Sequence, residues 1–211
     1  MATQISGQVS VAGPLALDRL GSPAQRDRRR RILDATIALA SKGGFEAVQM
    51  RAVAESADVA LGTLYRYFPS KIHLLVSALS TRLEAAQAAL DRRPIPGDTR
   101  EERVLHVVRG TTRGLQREPH LTEALTRAFM FADATVAPEI HVVGTQLSTM
   151  LTEAMRDPGE SRDEPPTEDE IAIARVISDV WLAALVAWVT GRASADDVAA
   201  SLEKAVHLLL R

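Results

Sequence analysis

MRAVAESADVALGTLYRYF, residues 50–68, is the stretch that decides the fold. It holds a short helical segment, a break around Asp58 and a second helical segment that starts near Leu61, the order of a helix-turn-helix. Val53 and Ala54 face inward on the first segment, and the small Ala lets the second segment approach closely. Val59 and Leu64 supply the matching apolar contacts, and Phe68 continues the buried face one turn beyond Leu64. Asp58 suits the turn because Asp tolerates a left-handed backbone better than most residues.

The second segment has the chemistry of a reading helix. Gly62 carries no side chain that would hold its start away from a groove. Thr63 and Tyr67 lie one turn apart, so a hydroxyl and a phenol can reach base edges or phosphate together. Both tyrosines of the chain fall here. Tyr67 is assigned to DNA, and Tyr65, next to Leu64, either shares that face or is partly buried. Arg51, with its forked donors, and Lys71, at the start of the next helix, are candidates for base or phosphate contacts, with ordinary solvated charge as the alternative. The run Arg26-Asp27-Arg28-Arg29-Arg30-Arg31 places basic charge at a helix start, against the macrodipole, which points to an outside partner or to a solvated helix end.

Working outward, breakers divide the chain into about nine helices and no strand is legible, so the fold class is all-α. The first helix covers about residues 26–42 and stops at Gly43-Gly44, with Phe45 and Val48 as apolar anchors beyond. Pro69-Ser70 ends the motif and caps a helix running to about residue 92. Thr99 with Glu102, and Thr167 with Glu170, have capping-box spacing for two later helices. The last helix covers about 195–210. The organisation expected is an arm (1–23), a three-helix DNA-binding domain (24–70) and a ligand-binding and dimerisation domain (71–211).

Net charge is only −2, but it is divided unevenly: residues 1–82 hold 11 Lys and Arg against 6 Asp and Glu, and residues 83–211 hold 14 against 21. The footprint of a polyanion therefore belongs at the front. Cysteine is absent, which excludes disulfides, thiolate metal sites and cysteine nucleophiles. The five histidines show no metal-ligand spacing, and neither a phosphate loop nor a nucleophile elbow is present. No cofactor or metal is expected, and an enzyme is disfavoured. The rival readings, a small helical enzyme or a dimeric adaptor without DNA binding, leave the basic motif and the paired tyrosines unexplained. The start of the chain does not read as a secretory signal, and the apolar stretch 176–189 is shorter than a membrane span needs, so a cytoplasmic protein without membrane contact is expected.

That apolar stretch can be sustained only if covered on more than one side, by a cavity and a two-fold partner, or by the core of a monomer. Phe129, Met130, Met150, Trp181, Leu185 and Trp188 are candidates to line a pocket for a bulky apolar ligand, with core packing as the alternative for each. Arg109, Arg113 and Arg117 recur at helical spacing and either meet ligand phosphates or form a solvated face.

The sequence GTLYRYFPSK at residues 62–71, followed by Leu74-Leu75, resembles the DNA-binding domain of the TetR family of one-component repressors, strongly over residues 26–80. The resemblance implies a homodimer on an inverted-repeat operator, with Arg51, Gly62, Thr63, Tyr65, Tyr67 and Lys71 at the DNA. Asp58 departs from the pattern, since many members carry Gly there. LTEALTRAFMFADAT (121–135) and ARVISDVWLAALVAW (174–188) are similar to members that repress sterol catabolism in actinobacteria. This closer resemblance implies a steroid coenzyme A thioester as effector.

Overall fold

The computed structural model describes residues 22–160 and 164–211. The expected arm therefore lies almost wholly outside the described residues, as does part of the loop before residue 167. Nine α-helices and one 3-10 turn, with no strand, make up the described chain.

α1 (Pro23–Ala47) starts three residues earlier than the arginine run suggests, because Ser22 and Gln25 form a capping box and Pro23 takes the first helical position. Gly43 and Gly44 break its regular geometry. Gly44 has φ +66°, which favours glycine, and a Cβ there would also meet the Glu123 carboxylate at 2.6 Å. α2 (Met50–Ser56) and α3 (Leu61–Tyr67) are joined through Asp58, the only described non-glycine residue at positive φ, +52°. α4 (Lys71–Leu90) follows Ser70, whose hydroxyl accepts from the His73 N–H.

The larger half contains α5 (Arg100–Gln116), α6 (Pro119–Met130), a 3-10 turn at Ala134–Val136, α7 (Ala137–Met155), α8 (Glu168–Val189) and α9 (Ala195–Leu209). The two expected capping boxes open α5 and α8, and a third, Ser194 with Asp197, opens α9. α5 is pinned to the end of α7 by Arg103, which is 2% exposed. Its guanidinium donates to the Ala154 and Met155 carbonyls and pairs with Asp157 at 2.7 Å, so the buried charge is satisfied. α1 packs most extensively on α6, which joins the motif to the larger half.

α8 extends beyond the apolar stretch 176–189: its 22 residues are enough by length and composition to cross a membrane, and most of its apolar surface is not buried inside the single chain. Ile171, Arg175, Ser178, Trp181, Leu182 and Leu185 line an internal cavity, and Val176 is 44% exposed on another side.

Candidate nucleic-acid interface and internal cavity

The helix-turn-helix core is built from Val53, Ala54, Leu64 and Phe68, all between 0% and 3% exposed, with Val59 packed against it. Tyr67 belongs to this core. At 5% exposed it stands in the row Leu64, Tyr67, Phe68, the i, i+3, i+4 set that a helix buries on one side. Tyr65 points outward at 46% exposed, the outward one of its two alternatives, whereas the ring of Tyr67, assigned to DNA from the sequence, is buried. The outward face of α3 carries Leu61, Gly62, Tyr65 and Arg66, with Thr63 half-buried at its edge. Nothing stands within 4 Å of where a Gly62 Cβ would be, so the backbone there is open to close approach. Arg51 is exposed at the start of α2.

Two arginines of the basic run hold the motif together. Arg31 donates to the Ala57 carbonyl at 2.6 Å, at the turn between α2 and α3, while Asp27 lies 3.5 Å from its Nε. Arg29 is 7% exposed and lies over the Phe68 ring, 5.4 Å from the centroid. Sequence reasoning, which weighed an outside partner against water, missed these internal roles because the acceptors lie more than 25 residues away. Asp27 also pairs with Arg30.

Lys71 is half-buried rather than freely presented. Its Nζ lies 3.8 Å from the centroid of the Phe45 ring, and the Arg127 guanidinium lies 4.4 Å from the same centroid. Burial pushes the Lys71 ammonium below its ordinary range, with Glu46 opposing the shift. Glu123 accepts from the Phe45 N–H at 2.8 Å, and Glu46 pairs with Arg127 at 3.0 Å. One side of α6 thus grips the end of α1 and the start of α4. A second tie runs through His73, whose ring nitrogens lie 2.9 Å from the Ser70 hydroxyl and 3.1 Å from the Thr135 carbonyl. One neutral tautomer satisfies both, with Ser70 donating to Nδ1 and Nε2 donating to Thr135.

The other side of α6 faces a partly open cavity of about 880 Å³ lined by residues of α4 to α8. Of the six residues expected to line it, Phe129, Trp181 and Leu185 do. Met150 is 1% exposed in the packed core, with its sulfur 4.0 Å from the Thr111 hydroxyl. Met130 is 44% exposed at the end of α6, and Trp188 is half-buried further along α8; neither lines the cavity. Of the two alternatives for the arginine row, the surface one fits: Arg109 pairs with Glu203 at 2.8 Å beside α9, and Arg113 and Arg117 also lie off the cavity. Its cations are Arg82, held by Glu118 at 2.6 Å, and Arg175. His106 and His141 add polar groups to an otherwise apolar wall. Among the described residues no group of three or more acidic or His side chains could hold a metal ion.

Residues 32–78 match the family described as bacterial regulatory proteins, tetR family, and residues 97–209 match a tetracyclin repressor-like C-terminal domain. The chain is 59% identical to the HTH-type transcriptional repressor KstR of Mycolicibacterium smegmatis over 93% of both chains. It is 58% identical to KstR of Rhodococcus jostii, over 95% of this chain and 91% of the relative. A crystal structure of a TetR transcriptional regulator from Rhodococcus sp. RHA1 superposes with a TM-score of 0.79 at 32% identity, covering 89% of this chain and 97% of that one.

Proposed function

Since the chain belongs to the TetR family of transcriptional regulators, with KstR repressors rather than enzymes as its relatives, we propose that it is a homodimeric repressor of lipid catabolism, released from an inverted-repeat operator by a steroid coenzyme A thioester. The observation that carries this reading is the double use of α6. Leu125 and Phe129 line the cavity, while Glu123 and Arg127, on the opposite side, hold Phe45 beside Lys71. A ligand that displaces α6 therefore acts on the foot of the helix-turn-helix without touching DNA.

In this reading Thr63, Tyr65 and the open backbone at Gly62 meet the major groove, and Arg51 and Lys71 meet base edges or phosphate. Tyr67 holds α3 at the right height through its buried ring. The dimer forms through α8 and α9, whose apolar Val176 and Leu208 are 44% and 57% exposed in the single chain. Two reading helices about 34–36 Å apart would then engage successive grooves of one operator. The steroid thioester follows from the resemblance of residues 121–135 and 174–188 to sterol-catabolism repressors, and the apolar cavity is compatible with it. A cytoplasmic location accords with a DNA-bound partner.

Effector coupling is a difference in affinity between two dimer geometries, and a typical coupling of about 1–3 kcal/mol corresponds to a 5- to 150-fold loss of operator affinity. The test is calorimetry of the thioester against free and operator-bound protein. Weaker thioester binding in the presence of operator, by the same factor as the thioester weakens operator binding, supports the reading. Identical dissociation constants in the two titrations exclude it.

A further inference from the structure

Apart from Gly62, which leaves the outward face of α3 open, three glycines inside helices have no local reason to be glycine. Gly110 and Gly114 stand one turn apart on α5, and Gly144 stands on α7. None is at positive φ, and nothing lies within 4 Å of where a Cβ would be at any of them. This separates them from Gly44 and Gly97, which are at positive φ and tightly packed, and from Gly43, whose Cβ would crowd Ala47 at 2.9 Å. Glycine in a helix interior is less favourable than alanine, so three such positions weaken α5 and α7 with no compensation in backbone or packing. What the three share is the cavity: all of them line it.

A helix face without Cβ atoms is bare backbone, and it widens the space in front of it by one methyl group at each position. Two of these faces, on α5 and α7, border the same cavity that Trp181 lines from α8. Extra width matters little to a flexible acyl chain, which can bend around a methyl group. It matters greatly to a rigid body of fused rings, which cannot, because a closely packed wall does not yield without strain. From this we infer that Gly110, Gly114 and Gly144 set the width of the cavity and select a rigid, fused-ring apolar ligand over a straight acyl chain. The inference rests on the effector reading given above and assigns its specificity to these three positions.

The test compares two probes, a coenzyme A thioester carrying a four-ring steroid acyl group and palmitoyl coenzyme A, against wild-type protein and Gly110→Ala, Gly114→Ala, Gly144→Ala and the triple variant. In the triple variant the steroid thioester should lose at least about ten-fold in affinity by calorimetry, as expected where overpacking strains a rigid contact. Palmitoyl coenzyme A should bind within about two-fold of wild type, or more tightly, because a bent chain tolerates the added methyl groups. The melting temperature should hold or rise, since alanine favours the helix, which separates lost selectivity from misfolding. Equal losses for the two probes, or unchanged steroid affinity in the triple variant, would overturn the width gauge while leaving the effector reading intact. Failure of the wild-type protein to bind the steroid thioester would overturn the effector reading itself, and the gauge with it.

Discussion

The Lys71 ammonium sits 3.8 Å from the centroid of the Phe45 ring, which places the first residue of α4 against the residue that follows the Gly43-Gly44 break in α1. Arg127 of α6 lies 4.4 Å from the same centroid. One aromatic ring therefore joins a candidate phosphate-contacting side chain to the helix that borders the cavity. Two such contacts, at about 0.5–1 kcal/mol each, are comparable to a typical allosteric coupling of about 1–3 kcal/mol. Phe45→Leu keeps the apolar volume and removes the π face. Its operator affinity without effector should stay near wild type, while the effector-induced loss of affinity should shrink several-fold. A mobility-shift titration with and without the thioester reads this, and an unchanged effector response would show that the ring carries no coupling.

The two tyrosines of α3 should separate stability from recognition. Tyr65, at 46% exposed, should tolerate Ala with little change in melting but with operator binding weakened by about 1–3 kcal/mol. Tyr67, at 5% exposed, should instead lose about 3–5 kcal/mol of stability on replacement by Ala, the usual range for a buried aromatic. Parallel thermal melts and operator titrations decide it. A Tyr67→Ala protein as stable as wild type would place that ring outside the core.

For Lys71→Ala, all duplexes should bind more weakly alike, and the slope of log affinity against log salt should fall by about one unit if the ammonium neutralises one phosphate. An unchanged slope would confine Lys71 to its seat on Phe45.

Arg31 holds the turn of the motif through the Ala57 carbonyl at 2.6 Å. A hydrogen bond from a charged donor contributes about 1.5–3 kcal/mol, and partial solvent exposure places Arg31→Ala at the lower end of that range. Operator affinity should fall with stability and recover on cooling, because the defect lies in the fold of the motif. If affinity drops while denaturant midpoints do not move, Arg31 contacts DNA directly.

Acid should loosen helix starts in the larger half. The Ser194 hydroxyl and then its backbone N–H donate to the Asp197 carboxylate, holding its carboxyl below the ordinary range, and Glu170 is lowered chiefly by the Thr167 N–H. A carboxyl whose folded pKa lies below its unfolded value of about 4 binds fewer protons when folded. Its stabilisation is thus present above about pH 4 and is lost as pH falls through the folded value. The melting temperature should be flat between about pH 5 and 8 as far as these groups are concerned, and should decline below about pH 4. Asp197→Asn should flatten part of that decline, and an acid limb identical to wild type would dissociate Asp197 from it.

The parts of this protein legible in sequence are those that local chemistry decides. Asp58 takes the left-handed turn, Ser70 caps α4, and the pairs Thr99-Glu102 and Thr167-Glu170 open α5 and α8, each within four residues of its partner. The apolar spacing of Val53, Ala54, Leu64 and Phe68 marks the helix-turn-helix for the same reason. Tertiary structure alone decided the rest, because the partners are distant in the chain. Which tyrosine of α3 faces inward depends on the packing around the row Leu64, Tyr67, Phe68, where Arg29 of α1 lies over the Phe68 ring. Met150 and Phe129 are equally apolar as letters, yet one fills the core and the other borders the cavity according to where α5 and α7 meet. Phe45, Lys71 and Arg127 are far apart in sequence, with nothing in their spacing to mark them, and they meet only because α1 breaks at Gly44 where the Glu123 carboxylate packs against it. A periodic pattern states which face of a helix is apolar, and only packing states what that face is against.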